Sequence, residues 1–206
     1  MIVDAPAPHT ARNSSPILEV LRREFADVAG VLEIGSGDGQ HAVTFAAALP
    51  HLIWQTSDLD DQHAAIRRRL ADAALPNTRD PLSLDVLCGR VPAAAYDALF
   101  SANTAHIMSL EAVRRMFRLA GLALRPAGIF CLYGPFRQNG KFNAASNASF
   151  DSSLRKRNFA MGIRDLEQLD EYAMVSGLLR SRLYAMPSNN HLAVWVKNKE
   201  AADDYT

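Results

Sequence analysis

The chain has 206 residues, 49% hydrophobic and 21% charged, the proportions of a globular protein with a sizeable core rather than a disordered one. Lysine plus arginine equals aspartate plus glutamate, 22 against 22, so the formal net charge is zero. That counts against a protein held mainly by nucleic-acid phosphates, which needs surplus positive charge. Cys88 and Cys131 lie far apart and match no metal or redox spacing, and the histidines show no ligand spacing, so no metal is expected. The N-terminus shows neither a basic leader nor an apolar run of export length, and no stretch is apolar enough to span a bilayer. A single cytoplasmic domain over residues 1–206 is expected, without membrane or nucleic-acid partners; homodimerisation stays open.

Residues 1–13 read as a flexible N-terminal segment. Ser15 offers an N-cap oxygen, Pro16 suits a first helical turn, and Ile17, Leu18, Leu21, Phe25 and Val28 follow at helical spacing up to Gly30. Val31–Ile34 is a short apolar strand running into glycines, and Gln40–Leu49 a helix stopped by Pro50. Strands follow at Leu52–Ser57, Leu82–Leu84, Tyr96–Ser101 and Gly128–Tyr133, with helices at Gln62–Ala74 and at Leu110–Leu124, the latter capped by Ser109. After a polar loop come helical patterns at Ser152–Asn158 and Asp165–Ser176, then strands at Leu178–Ala185 and His191–Val196. Strands alternating with helices imply a mostly parallel sheet covered on both faces. The last two strands are joined by only Met186–Asn190, too short for a parallel crossover, so they should pair antiparallel. The expected fold is α/β and Rossmann-like: a seven-stranded, mostly parallel sheet with a C-terminal antiparallel hairpin, as in class I methyltransferases.

Gly35, Gly37 and Gly39 alternate between the first strand and its helix. Glycine there permits positive φ and close ligand approach, and the helix N-terminus behind favours a carboxylate. A dinucleotide fingerprint would need glycine at position 40, where Gln40 stands, and this moves the reading from NAD to S-adenosylmethionine. Glu33 precedes the loop inside an apolar strand; it either helps orient the cofactor's amino-acid part or bonds the loop's own amides. Asp58 lies nineteen residues after Gly39, where a ribose-binding acid belongs, Asp60 being the weaker choice. Asp85 can accept from an adenine amino group while neighbouring apolar side chains sandwich the ring, or else it is a solvated loop aspartate. The fourth strand ends in Asn103 and His106, beyond a carboxyl edge where ligands bind. His106 is the natural base candidate by its unperturbed pKa, or else a packed or capping histidine. Tyr133 and Phe136 read as an active-site wall, and Asn143, Ser146, Asn147 and Asp151 as a polar lid or substrate shelf. Asn189 and Asn190 sit in the hairpin turn, and the runs Arg67–Arg69 and Arg155–Arg157 read as solvated helix faces.

With these residues in view, the chain resembles a family catalogued as a domain of unknown function, DUF938, whose animal members are called methyltransferase-like protein twenty-six. The resemblance rests on Arg12-Asn13 with Pro16-Ile17, Leu32 through His41, Trp54 through Asp58, and Asn103 with His106-Ile107. It continues through Gly134-Pro135-Phe136, Ser146-Asn147, Phe150-Asp151, Gly162 through Asp165, Met186-Pro187 and Asn189-Asn190. It implies a class I methyltransferase fold and S-adenosylmethionine binding, and supplies no substrate. By that resemblance Arg12, Asn13 and His41 join Glu33, Gly35, Ser36, Gly37, Gly39, Asp58, Leu59, Asp85, Val86 and Asn103 as the cofactor set. Candidate catalytic residues are His106, Asn103 and Tyr133, and candidate substrate contacts Phe136, Asn147, Asp151, Arg164 and Asn190. Three departures stand out: Asp38 where threonine is usual, Thr56 for proline, and Met161 for tryptophan. Asp38 would add a negative charge beside the cofactor's carboxylate. The expected activity is methyl transfer to oxygen, nitrogen or sulfur of a small molecule. A non-catalytic cofactor-binding module is the alternative, and a protein or RNA methyltransferase ranks last.

Overall fold

A computed structural model describes residues 8–199, the side chains of residues 8–12 excepted. Helix α1 (Pro8–Glu24) is followed by β1 (Gly30–Glu33), α2 (Gln40–Ala48), β2 (Ile53–Asp58), α3 (His63–Ala73) and β3 (Thr78–Ser83). Then come β4 (Tyr96–Ala102), α4 (Leu110–Ala123) and the long β5 (Leu124–Gly134). Three short strands, β6 (Phe136–Gln138), β7 (Lys141–Phe142) and β8 (Arg164–Asp165), flank α5 (Ala145–Arg157). The chain closes with α6 (Leu166–Met174), β9 (Leu178–Met186) and β10 (Asn190–Lys197).

The main sheet has the expected seven strands, in the order β3-β2-β1-β4-β5-β10-β9. Its first five strands run parallel, and β10 pairs antiparallel with both β5 and β9. Successive residues point to opposite faces, and here both faces are apolar. Val31, Phe100, Cys131 and Leu192 enter one core with α1, α2 and α3, while Leu32, Leu99, Phe130 and Trp195 enter the other with α4 and α6. The sheet turns outward in both directions from the pair β1–β4. That pair is a topological switch point, and a crevice opens beyond its carboxyl ends.

Four boundaries differ from the sequence reading. Residues 8–13 belong to α1, so Ser15 lies inside the helix rather than capping it, and Pro16 sits within it. Residues 1–7 lie outside the described residues. Strand β3 begins at Thr78 and contains Pro81; it is an edge strand, where a missing N–H breaks no ladder. The end of the expected polar loop, from Ala145, is the first half of α5, where Ser149, Ser152 and Ser153 hydroxyls bond carbonyls four residues back. The three-strand sheet β7-β6-β8 was not anticipated: strands of two or three residues leave no periodic signal. Ser109 does cap α4, its hydroxyl accepting from the Ala112 N–H at 3.2 Å.

One contact tests the second core directly. Gly121 of α4 lies against the chain after α6, where an added Cβ would collide with the Ser176 carbonyl. Gly121→Ala should lower stability by about 1–3 kcal/mol, seen as a lower urea midpoint at unchanged slope. An unchanged midpoint would mean that α4 and the α6 turn separate freely.

Candidate functional site

The loop between β1 and α2 stands at the switch point. Gly35, Gly37 and Gly39 have φ of 73°, 59° and 81°. At Gly35 a Cβ would also stand 2.7 Å from the Thr104 methyl, so both backbone and space require glycine. The Gly35 and Ser36 N–H groups both donate to the Ser57 carbonyl at 3.0 Å. From the other side, the Ser101 hydroxyl donates to the Ile34 carbonyl at 2.7 Å and bonds the Thr104 hydroxyl at 2.7 Å. The loop is therefore tied to both flanking strands.

Glu33 is 1% exposed, at the base of this loop. Its Oε2 accepts from the Ser36 hydroxyl at 2.9 Å and the Trp54 indole N–H at 3.0 Å. Ser36 Oγ accepts in turn from the Ser57 N–H at 3.1 Å, and the Ser57 hydroxyl donates to the Glu33 carbonyl at 2.6 Å. Burial pushes the Glu33 carboxyl up to about 7, against the pull of its two hydrogen bonds.

Beyond the loop lies a cavity of about 520 Å³. It is lined by Ile34, Gly35 and Gly37, by Asp58, Leu59, Asp61 and Gln62, by Leu84 through Leu87, and by Ala102 through Thr104 with Ile107, Met108 and Ala112. Seven of the expected cofactor residues meet there: Gly35, Gly37, Asp58, Leu59, Asp85, Val86 and Asn103. Asp58 Oδ2 accepts from the Gly37 N–H at 2.7 Å and Oδ1 from the Leu59 N–H at 2.8 Å. Each oxygen keeps a second lone pair for a ligand hydroxyl. Asp85 Oδ1 accepts from the Leu87 N–H at 2.9 Å. Asn103 has φ of 61°, its N–H donating to the Tyr133 carbonyl at 2.9 Å. Leu59, Leu87 and Ile107 are each about half exposed and give the mouth an apolar rim. Among the described residues the lining holds three carboxylates, of Asp58, Asp61 and Asp85, and no lysine or arginine, a field that favours a cation over a pyrophosphate. Sequence reasoning missed Asp61, Gln62, Thr104 and Met108, although Asp61 stands just past the recognised Asp58.

The remaining expected residues lie around the cavity rather than in its lining. Ser36 is engaged with Glu33, and Gly39 starts α2. His41 is buried; its Nδ1 is 3.4 Å from the Ser14 hydroxyl and its ring stacks on Phe45 at 5.0 Å, so it joins α2 to α1. Burial pushes its pKa down to about 4, Asp38 opposing. Asn13 precedes that contact, half-buried, and the Arg12 side chain lies outside the described residues. Asp38 is paired with Arg69 at 2.6 Å, and its Oδ1 accepts from the Gln40 N–H at 3.2 Å. The extra charge is thus balanced by α3.

On the other flank, His106 is 8% exposed, its ring edge-on to Phe150 at 5.3 Å. Burial and the Arg164 guanidinium push its pKa down to about 4, so the imidazole is neutral at physiological pH. Tyr133 is 1% exposed and its hydroxyl accepts from the Asn190 amide at 3.0 Å. Burial raises the phenol above its ordinary range, so it stays protonated. Asn147 donates to Asn143 at 2.7 Å and to the Asn189 carbonyl at 3.0 Å, fastening α5 to the hairpin turn. Asp151 accepts from Arg155 and from the Ile163 N–H, both at 2.7 Å. Phe136 is buried in the core on the α4 side, and Arg164 bonds main-chain carbonyls. Among the described residues, no group of three or more His, Cys, Asp or Glu could hold a metal ion, and no helix is long and apolar enough to cross a membrane.

The mitomycin 7-O-methyltransferase MmcR shares this fold with a TM-score of 0.80 at 17% identity, over 92% of this chain and 54% of its own. An O-methyltransferase family protein from Burkholderia thailandensis matches at 0.79 and 16%, over 93% and 58%. The O-methyltransferase NcsB1, solved with S-adenosylmethionine and 2-hydroxy-5-methyl naphthoic acid, matches at 0.75 and 19%, over 92% and 54%. The chain spans little more than half the length of each. Its fold is the Rossmann-like one of class I methyltransferases. Residues 4–197 match the family described as a protein of unknown function, DUF938, and the chain belongs to that family.

The Glu33 carboxyl makes a pH prediction with a definite sign. Its folded pKa lies above the ordinary value of 4.5, so between that value and about 7 the native state binds more protons than the unfolded chain. Stability should therefore fall as pH rises through this window, with Glu33 contributing about 3 kcal/mol of the loss. Urea unfolding at pH 5 and 7.5 should show that share removed in Glu33→Gln; equal pH slopes in both proteins would refute it.

Proposed function

We propose that the chain is an S-adenosylmethionine-dependent methyltransferase acting on oxygen, nitrogen or sulfur of a small molecule. The observation that carries this reading is the cavity at the switch point, walled by the glycine loop and lined, among the described residues, by three carboxylates and no basic side chain. Such a cavity suits a sulfonium cation with an adenosine attached and repels the pyrophosphate of a dinucleotide. The three O-methyltransferases with this fold support the reading, one of them carrying both S-adenosylmethionine and an aromatic hydroxy acid.

Asp58 would accept from the ribose hydroxyls and Asp85 from the adenine amino group, between Leu59 and Val86. The N-terminus of α2, behind the loop, would favour the carboxylate. Bound there, S-adenosylmethionine supplies an electrophilic methyl whose displacement releases a neutral thioether. The chain's own residues then align the acceptor in line with the methyl group, exclude water and remove a proton where the acceptor carries one. The neutral His106 imidazole, just outside the lining beyond Thr104, is the group able to take it. Asn103, in the wall, would orient the acceptor side.

Incubation with methyl-labelled cofactor and a metabolite extract should yield a labelled small product. Label found only in macromolecules, or cofactor bound without any transfer, would overturn the small-molecule reading. Asp58→Ala should weaken S-adenosylhomocysteine binding by about 1.5–3 kcal/mol, roughly ten- to over a hundredfold by calorimetry. Unchanged affinity in a folded variant would remove Asp58 from the site.

A further inference from the structure

We propose that Arg164 is a positioning residue that fixes the turn carrying His106 and holds beside its ring a positive charge that no carboxylate pairs among the described residues. The claim about the turn stands on geometry alone; its bearing on methyl transfer rests on the function proposed above.

Arg164 stands on β8, which pairs with β6, the continuation of β5 beyond the cavity. It is 4% exposed. Its Nε donates to the Ala105 carbonyl at 2.9 Å, and Nη2 donates to the Met108 carbonyl and to Ala160 at 2.8 Å. Ala105 and Met108 bracket His106 and Ile107, so one planar fork grips both ends of that segment. The turn is closed from within by the Ile107 and Met108 N–H groups on the Thr104 carbonyl, at 3.0 and 3.1 Å. The Gly162 N–H, two residues before Arg164, donates to the His106 carbonyl at 2.9 Å. The same turn supplies Thr104, Ile107 and Met108 to the cavity wall.

The charge itself needs explaining. Among the described residues no carboxylate makes an ion pair with Arg164, and Asp151 is engaged by Arg155 and the Ile163 N–H. Burying a guanidinium on carbonyls alone is costly, and a neutral side chain would pack more cheaply. A cation kept in such a place has an electrostatic effect on its neighbour, the His106 ring. The other titratable groups near the turn are the Asp151–Arg155 pair of α5, which closes on Gly162, and His191 of β10, the register partner of Gly134. Gly134 in turn faces His106 Nδ1, 3.8 Å from where its Cβ would stand. Asp151 and Tyr172 attract the Arg164 charge from a distance and Arg155 and Arg137 repel it, but none of them forms an ion pair with it. The fork sets where the imidazole stands, and its charge adds to burial in keeping the ring unprotonated.

Ring titration of His106 by nitrogen-detected NMR, assigned by its loss in His106→Asn, reads the charge without any substrate. In the unaltered protein the ring should titrate near pH 4. Arg164→Gln should raise that midpoint by about one pH unit or more, whereas Arg164→Lys should leave it low. Lysine cannot span the two carbonyls, so Arg164→Lys should still shift the His106 ring resonances and weaken S-adenosylhomocysteine binding about tenfold. An unmoved midpoint in Arg164→Gln overturns the electrostatic half of the proposal. Should that variant not fold, ring shifts and affinity in Arg164→Lys identical to the unaltered protein overturn the positioning half. Failure of the unaltered protein to bind S-adenosylhomocysteine would instead overturn the methyltransferase reading, with the ring titration still interpretable.

Discussion

The Glu33 carboxyl is removed from water at the end of a central strand, and an ionisable group so placed must be satisfied or it destabilises the fold. Its two donors come from opposite directions: Ser36 from the loop ahead, Trp54 from the neighbouring strand. Satisfying the carboxyl therefore fixes Ser36, and with it the amides that Gly35 and Ser36 direct at Ser57. Gly37 follows, its N–H reaching Asp58. Trp54 also packs with Phe25, Phe45 and Phe100, so one indole serves both the core and the site. A deformation of that core would be felt at the glycine loop within two hydrogen bonds.

This arrangement explains how much was legible in the sequence. The glycine loop, Asp58 and Asp85 follow strand ends, and local chain geometry alone sends them to the carboxyl edge. The sevenfold sheet with its closing hairpin followed from apolar runs and from a connection too short for a crossover. Arg164 gave no such signal. Its partners are carbonyls some sixty residues away, and every residue type has a carbonyl, so nothing in the sequence marks the acceptors. Asn147 is ambiguous for a related reason: an asparagine that ties a helix to a turn has the composition of one that meets a ligand. The β6–β8 sheet and the α5 boundary were hidden because their pairing is set by distant contacts, not by local periodicity.

The two sides of the crevice, which the proposed function assigns to cofactor and to acceptor, also differ electrostatically. The cofactor side is acidic and its extra charge, Asp38, is turned outward and balanced by Arg69. The acceptor side carries a neutral imidazole and a buried guanidinium. A sulfonium placed between them would be attracted toward the acids and kept from the arginine, and this field orients a ligand whose two ends differ in charge.

Behind the turn after β4 stand two further pieces of chain, the stretch from Tyr133 to Arg164 and the hairpin turn before β10. The hairpin turn places Ser188 and Asn189 at φ of 59°, a conformation that costs energy in residues other than glycine. Asn143 and Asn147 donate to the Asn189 carbonyl at 3.0 Å and hold that turn, while Asn190 holds the Tyr133 phenol. None of these bonds touches Glu33, Ser36 or Asp58. Substitutions in α5 or the hairpin can therefore reshape the acceptor wall while the glycine loop keeps its geometry. On the proposed function, a fold built this way can retain one cofactor site while the acceptor it admits changes, which is why the glycine loop and Asp58 are readable from sequence and the acceptor is not.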